Sequence, residues 1–127
     1  MTTVITALPY LYRDADNYKA WDRVLLRGVL TPEQVRRLRA SLQADGDCWF
    51  LPDQVGLAHL GKQLENFPRD GDHVWHKLEL EDIETFEVCR PQVAQLLDPE
   101  ELITRFEAAA AQGWDVAASC EHHGITD

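Results

Sequence analysis

Leu30-Thr31-Pro32-Glu33-Gln34-Val35-Arg36-Arg37-Leu38-Arg39-Ala40-Ser41-Leu42 carries the start signals of an α-helix in their proper order. Thr31 supplies an N-cap hydroxyl, Pro32 occupies the first helical position, and Gln34 stands three residues after the cap. Leu30 and Val35 occupy the two positions of a hydrophobic staple, and Val35, Leu38 and Leu42 continue one apolar stripe. Asp45-Gly46 supplies a stop, so the spacing predicts a helix over Thr31–Ala44. The same grammar recurs at Leu97-Asp98-Pro99-Glu100-Glu101-Leu102. There Leu102, Ile103, Phe106, Ala109 and Ala110 form the buried side and Gly113 the C-cap, predicting a helix over Asp98–Gln112. The flanking residues differ, which makes this shared capping chemistry rather than an internal repeat.

Between and before the helices the periodicity changes from 3.6 to 2. Pro9–Arg13 alternates large and small residues as a short strand, and the polar cluster Asp14–Asn17 reads as a turn. Tyr18–Leu30 has a Val-Leu-Leu centre that favours a strand, with Gly28 at a bulge. Cys48–Leu51 is a short apolar run ended by Pro52. Val74–Leu80 alternates strictly, and Ile83–Val88 after Glu81-Asp82 reads as its hairpin partner. Asp53–Asp72 holds glycines and a proline without steady period, the mark of a long loop with one helical turn. Pro91–Leu97 reads as one or two helical turns. The pattern is an α+β fold: a small, mostly antiparallel sheet of four or five strands, with two capped helices packed on one face. Residues 1–117 are expected to form one globular domain and 118–127 a flexible C-terminal tail.

A chain of 127 residues with 45% hydrophobic content and four tryptophans has enough apolar surface to fold without a metal or disulfide. No apolar run approaches the roughly 20 residues a bilayer requires, and the N-terminal residues lack a signal peptide's positive region. Three widely spaced cysteines, Cys48, Cys89 and Cys120, fit reduced thiols in a cytoplasm.

Charge is unevenly placed. Residues 1–64 hold eight Lys/Arg and seven Asp/Glu, whereas residues 65–127 hold four and fifteen, so the second half carries the whole net charge of −10. Such a balance disfavours direct nucleic-acid binding and anionic membranes. Glu79, Glu81, Asp82, Glu84 and Glu87 crowd five carboxylates around the expected hairpin, where same-face neighbours would share one surface. This predicts a docking face for a basic protein, with Trp75 as its apolar anchor. Arg23, Arg27, Arg36, Arg37 and Arg39 are the cations that would instead neutralise those acids within the chain. Asp72, His73 and His76, with His59 and Asp70 nearby, form the alternative set, ligands for a divalent metal or groups for acid–base work. Cys120, His122 and His123 make a weaker metal-ligand cluster in the tail. Tyr10, Tyr12, Tyr18 and Trp21 gather as a candidate recognition pocket or one side of a small sheet. No phosphate loop, nucleophile elbow, Cys-x-x-Cys or His-Glu-x-x-His motif is present.

Tyr10–Lys19, Phe50–Leu57 and Asp72–His76 together resemble segments of a group of small uncharacterised bacterial proteins. The resemblance covers about a fifth of the chain and carries over no catalytic residue. It implies a bacterial or phage-borne cytosolic protein and singles out the second and third segments as one shared surface. The expected function is a noncatalytic, acidic protein-interaction module, immunity-protein-, antitoxin- or inhibitor-like, without a cofactor, docking a basic partner through residues 79–87. The alternative is a small metal-binding protein or metal-dependent enzyme built on Asp72, His73 and His76.

Overall fold

A computed structural model describes residues 3–43, 48–64, 67–68, 71–89 and 96–125. The expected helix signals are realised: α1 spans Pro32–Ser41 and α2 spans Pro99–Gln112. Thr31 and Gln34 form a reciprocal capping box: the Gln34 amide donates to Thr31 Oγ1 at 3.1 Å and the Thr31 amide to Gln34 Oε1 at 2.9 Å. Asp98 starts α2 without a side-chain cap bond, although Pro99 holds the first helical position and Gly113 closes the helix. The stop expected at Asp45-Gly46 and most of the turns expected over Pro91–Leu97 lie outside the described residues.

The protein is α+β, with an antiparallel five-stranded sheet and three α-helices among the described residues. Strand β1 runs Thr3–Arg13, longer than its aromatic end predicts, and β2 runs Lys19–Arg27 as its hairpin partner. Between them the Asp14 carboxylate accepts the amides of Asp16 at 3.0 Å and Tyr18 at 2.9 Å, and Asn17 takes a left-handed φ of 66°. Such a turn suits asparagine's tolerance of that region. The remaining strands are short: β3 at Trp49–Phe50, β4 at His76–Leu78 and β5 at Glu84–Val88. The order is β2-β1-β4-β3, with β5 also on β1.

The expected hairpin between residues 74–80 and 83–88 does not form. Both β4 and β5 are antiparallel to β1, and they follow one another along the same edge. Tyr10 pairs with Leu78 and Ala7 with Glu84, so two residues of β1 face five of the other chain segment. A 3-10 turn at Leu80–Asp82 takes up the excess. Pro9 explains the break. Its carbonyl accepts the Glu79 amide at 2.9 Å, so its nitrogen faces the same edge, and a proline nitrogen has no hydrogen to continue the ladder.

One face of the sheet meets the helices. Leu8, Tyr10 and Tyr12 of β1 and Val24 and Leu26 of β2 cluster with Leu38 of α1 and Leu102, Ile103 and Phe106 of α2. Arg37 fastens the two helices outside this core, reaching Glu100 at 2.8 Å and Glu107 at 2.7 Å. The Arg37 guanidinium holds the Glu107 carboxyl below its usual range.

The segment expected as a C-terminal tail from residue 118 is helical and partly buried as far as Ile125. Val116–His123 forms α3, its Asp115 cap accepting the Ala118 amide at 3.0 Å, and Ser119, Cys120 and Ile125 are buried. Gln54 secures it, donating to the Asp115 carbonyl and to Ser119 Oγ at 2.7 Å each. No helix among the described residues is long and apolar enough to cross a membrane.

Candidate functional site

The five carboxylates expected to share one face are dispersed by the break between β4 and β5. Glu79 lies mostly covered, 3.9 Å from Lys77 Nζ, and Glu81 binds Arg39 Nη2 at 2.9 Å. Asp82, Glu84 and Glu87 are exposed and have no ion pair among the described residues. Glu84 and Glu87 stand three apart on one strand, hence on opposite sheet faces. Of the arginines weighed as internal partners, only Arg39 reaches this acidic segment by an ion pair among the described residues. Arg36 pairs with Glu33 and Arg37 with α2. Trp75 does not stand beside the acids as an anchor. It is half-buried against a second apolar cluster of Leu51, Val74, Cys120 and Ile125.

Among the described residues β5 pairs only with β1 and stands at an edge of the sheet. The Pro9–Glu79 bond places the main-chain groups of odd β1 residues toward β4 and β5, while the Gly28 amide bond to the Val4 carbonyl places even ones toward β2. Glu84, Phe86 and Val88, paired with Ala7, Ile5 and Thr3, therefore bond inward. Thr85 and Glu87 turn their N–H and C=O groups outward, where no described residue pairs with them.

The histidines form a different kind of site. His59, His73 and His76 surround Tyr12, with ring centroids 4.7, 5.0 and 4.9 Å from it, and His123 lies 4.7 Å from His59. The hydrogen bonds fix each tautomer. His76 Nε2 accepts the Leu60 amide at 3.0 Å, leaving Nδ1–H to donate to the Val74 carbonyl at 3.2 Å. His59 Nδ1 accepts the Gly61 amide at 2.9 Å and its Nε2–H donates to the His73 carbonyl at 2.6 Å. His73 Nδ1 accepts the Trp75 amide at 3.1 Å and Nε2–H donates to the Arg13 carbonyl at 2.6 Å. Burial pushes His59 down to about 4 and His76 down to about 2, so both are neutral at ordinary pH. Tyr12 donates its hydroxyl proton to Asp72 and accepts the His73 amide at 3.2 Å; burial and the Asp72 bond push its phenol well above the usual range.

These bonds bear on the metal expectation. A metal takes an imidazole lone pair, and in His73 and His76 that lone pair already accepts a backbone amide. Asp72 is brought near Tyr12, and Asp70 lies outside the described residues. No group of three or more His, Cys, Asp or Glu among the described residues is arranged to hold a metal, the Cys120, His122 and His123 set included. His123 Nε2 is buried 3.5 Å from Asp53 Oδ1, inside ion-pair distance but without hydrogen-bond geometry. The imidazoles instead brace the loop of residues 56–64 against β4. The segments 50–57 and 72–76 do meet, through the Phe50–His76 pair and the Leu51–Val74 cluster, but these contacts are interior.

One cleft has no counterpart among the sequence expectations. On the sheet face opposite α1 and α2, Trp21, Leu11, Lys77 and Trp49 lie directly opposite one another across β2, β1, β4 and β3. With Arg13, Lys19 and Glu79 they line a cleft of about 400 Å³. Trp21 is 54% exposed. Tyr10 and Tyr12, grouped with it by sequence proximity, point to the core instead. The cleft's signal in the sequence is the every-second-residue series Lys19, Trp21, Arg23, Leu25, Arg27, cationic at three of five positions, set against core residues Ala20, Val24 and Leu26.

No protein-family model matches the chain, and neither a curated protein nor a solved structure matches it significantly.

Proposed function

We propose that the protein is a noncatalytic interaction module that docks a basic strand of a partner protein along the outer edge of β5. The observation that carries this reading is the outward N–H and C=O groups of Thr85 and Glu87, which have no partner among the described residues, on a strand flanked by the exposed carboxylates of Asp82, Glu84 and Glu87. An added strand gains main-chain bonds at such an edge, while its alternating side chains meet one sheet face each. Glu84 on one face and Glu87 on the other select Lys or Arg at neighbouring positions of that strand. The same charges repel a second β5 edge, which disfavours self-association there. The net charge of −10 speeds encounter with a basic protein and opposes nucleic acid.

This is the manner of an immunity protein, antitoxin or inhibitor that covers a basic surface. The odd number and wide spacing of Cys48, Cys89 and Cys120 support reduced thiols and a cytoplasmic setting. The metal alternative on Asp72, His73 and His76 has less support, because the imidazole lone pairs are already engaged. Stopped-flow association with a basic partner tests the docking edge. Changing Asp82 to Asn and Glu84 and Glu87 to Gln should slow association at least tenfold at low salt and remove most of its salt dependence. An unchanged rate contradicts the proposal.

A further inference from the structure

The helix-free face of the sheet has the opposite character from the rest of the molecule. In a chain with ten more acidic than basic groups, this face collects Arg13, Lys19, Arg23, Arg27 and Lys77 against Glu79 and Glu84, as the strand register dictates. Arg13, Lys19 and Arg27 have no carboxylate partner among the described residues, and Arg23 reaches across β1 to lie 5.8 Å from the Phe86 ring. The concentration of positive charge coincides with the cleft between Trp21 and Trp49.

The geometry of the cleft sets what fits. Trp21 and Trp49 are separated by β1 and β4, three inter-strand spacings, so their backbones stand roughly 14 Å apart. That leaves room for one extended chain between two indole walls, above a floor of Leu11 and the methylene stem of Lys77. Arg13 and Lys19 face each other at the next same-face pair of the ladder, two residues beyond Leu11 and Trp21, and stand at one end of the cleft. An occupant therefore meets apolar ring faces at its middle and unpaired cations beside them.

We propose that this cleft binds an extended acidic segment of a partner protein, an aliphatic or aromatic side chain seated between Trp21 and Trp49 and carboxylates paired with Arg13 and Lys19. Two observations favour a peptide over single-stranded nucleic acid, which also uses aromatic platforms and cations. Glu79 lines the cleft with a side chain only 14% exposed, an acceptor for the backbone amides that a peptide carries at each residue and a phosphodiester backbone lacks. The molecule's net charge also repels a polyanion of many phosphates, whereas a short segment with two or three carboxylates is drawn to the local field. This site is separate from the β5 edge, and it selects the opposite charge.

The test is selection of random 12-residue peptides displayed on phage against the immobilised full chain, followed by fluorescence titration of the best synthetic peptide. Trp21→Ala and Lys19→Glu are the informative variants, because both side chains are exposed and their loss leaves the core intact; a thermal melt checks this. The expected result is enrichment of sequences with Asp or Glu flanking an apolar residue, affinity at least tenfold weaker in each variant, and weaker binding at high salt. A labelled twelve-nucleotide oligo(dT) should bind at least tenfold more weakly than the peptide. Failure to enrich acidic peptides, enriched peptides that ignore both substitutions, or tighter binding of the oligonucleotide would each overturn the proposal.

Discussion

The Leu60 amide hydrogen is donated to His76 Nε2 across a 3.0 Å bond, and that bond joins a long loop to the sheet through a fully buried, uncharged imidazole. Because His76 gives its one proton to the Val74 carbonyl, both ring nitrogens are engaged by the backbone. Its function is to satisfy a loop amide that burial would otherwise leave unpaired.

Acid should therefore unfold the protein earlier than its carboxylates alone require. His59 and His76 have folded-state values of about 4 and about 2, below the ordinary 6.5, because burial disfavours their charged forms. The unfolded chain binds more protons than the folded one between those values and 6.5. Stability from these groups is thus complete above pH 6.5 and falls as pH drops, by about 1.4 kcal/mol per pH unit for each histidine down to its folded value. Urea midpoints measured from pH 7.5 to 4.5 should decline over this range. A flat profile would contradict the neutral assignments.

His76→Phe fills similar space but cannot accept the Leu60 amide. Leaving that donor buried and unpaired should cost about 1–3 kcal/mol at pH 7.5, and equilibrium denaturation measures it. The loss should shrink at lower pH, because phenylalanine also removes the protonation penalty.

Phe106 lies at the meeting of helices and sheet, with Phe50 at 5.2 Å and Trp114 at 6.2 Å between ring centroids and no exposed surface. Phe106→Ala should destabilise by about 3–5 kcal/mol, the range for emptying a buried aromatic site. Denaturant titration monitored by circular dichroism reads this directly.

Asn17 closes the β1–β2 turn at φ 66°. Asn17→Gly should be nearly neutral, whereas Asn17→Val should lose about 1–2 kcal/mol, because a β-branched side chain is strained in the left-handed region. Equal stabilities for the two variants would show that the turn rearranges.

Capping chemistry was the most legible part of the chain, since it depends on residues within four positions of one another. The Thr31-Pro32-Glu33-Gln34 and Asp98-Pro99 signals placed α1 and α2 to within a few residues. Alternation located β4 and β5 but not their partner. Period two reports which side chains share a face, and the pairing with β1 turns on Pro9, about seventy residues earlier. The dispersal of the acidic segment has the same origin: a hairpin would gather the carboxylates that the broken strand separates. α3 carried a cap at Asp115 and a stop at Gly124, yet its small residues lack a strong apolar stripe. The histidine cluster joins residues from Tyr12 to His123 and has no local signature at all.

The docking edge is tested most directly by backbone amide nuclear magnetic resonance of the uniformly nitrogen-15-labelled chain during titration with an alternating Lys-Val peptide. Thr85 and Glu87 should show the largest shifts and acquire slowed hydrogen exchange, while Glu84, Phe86 and Val88, already bonded to β1, change little in exchange. Binding that leaves the Thr85 and Glu87 amides unprotected, or no binding at low salt, would contradict the account.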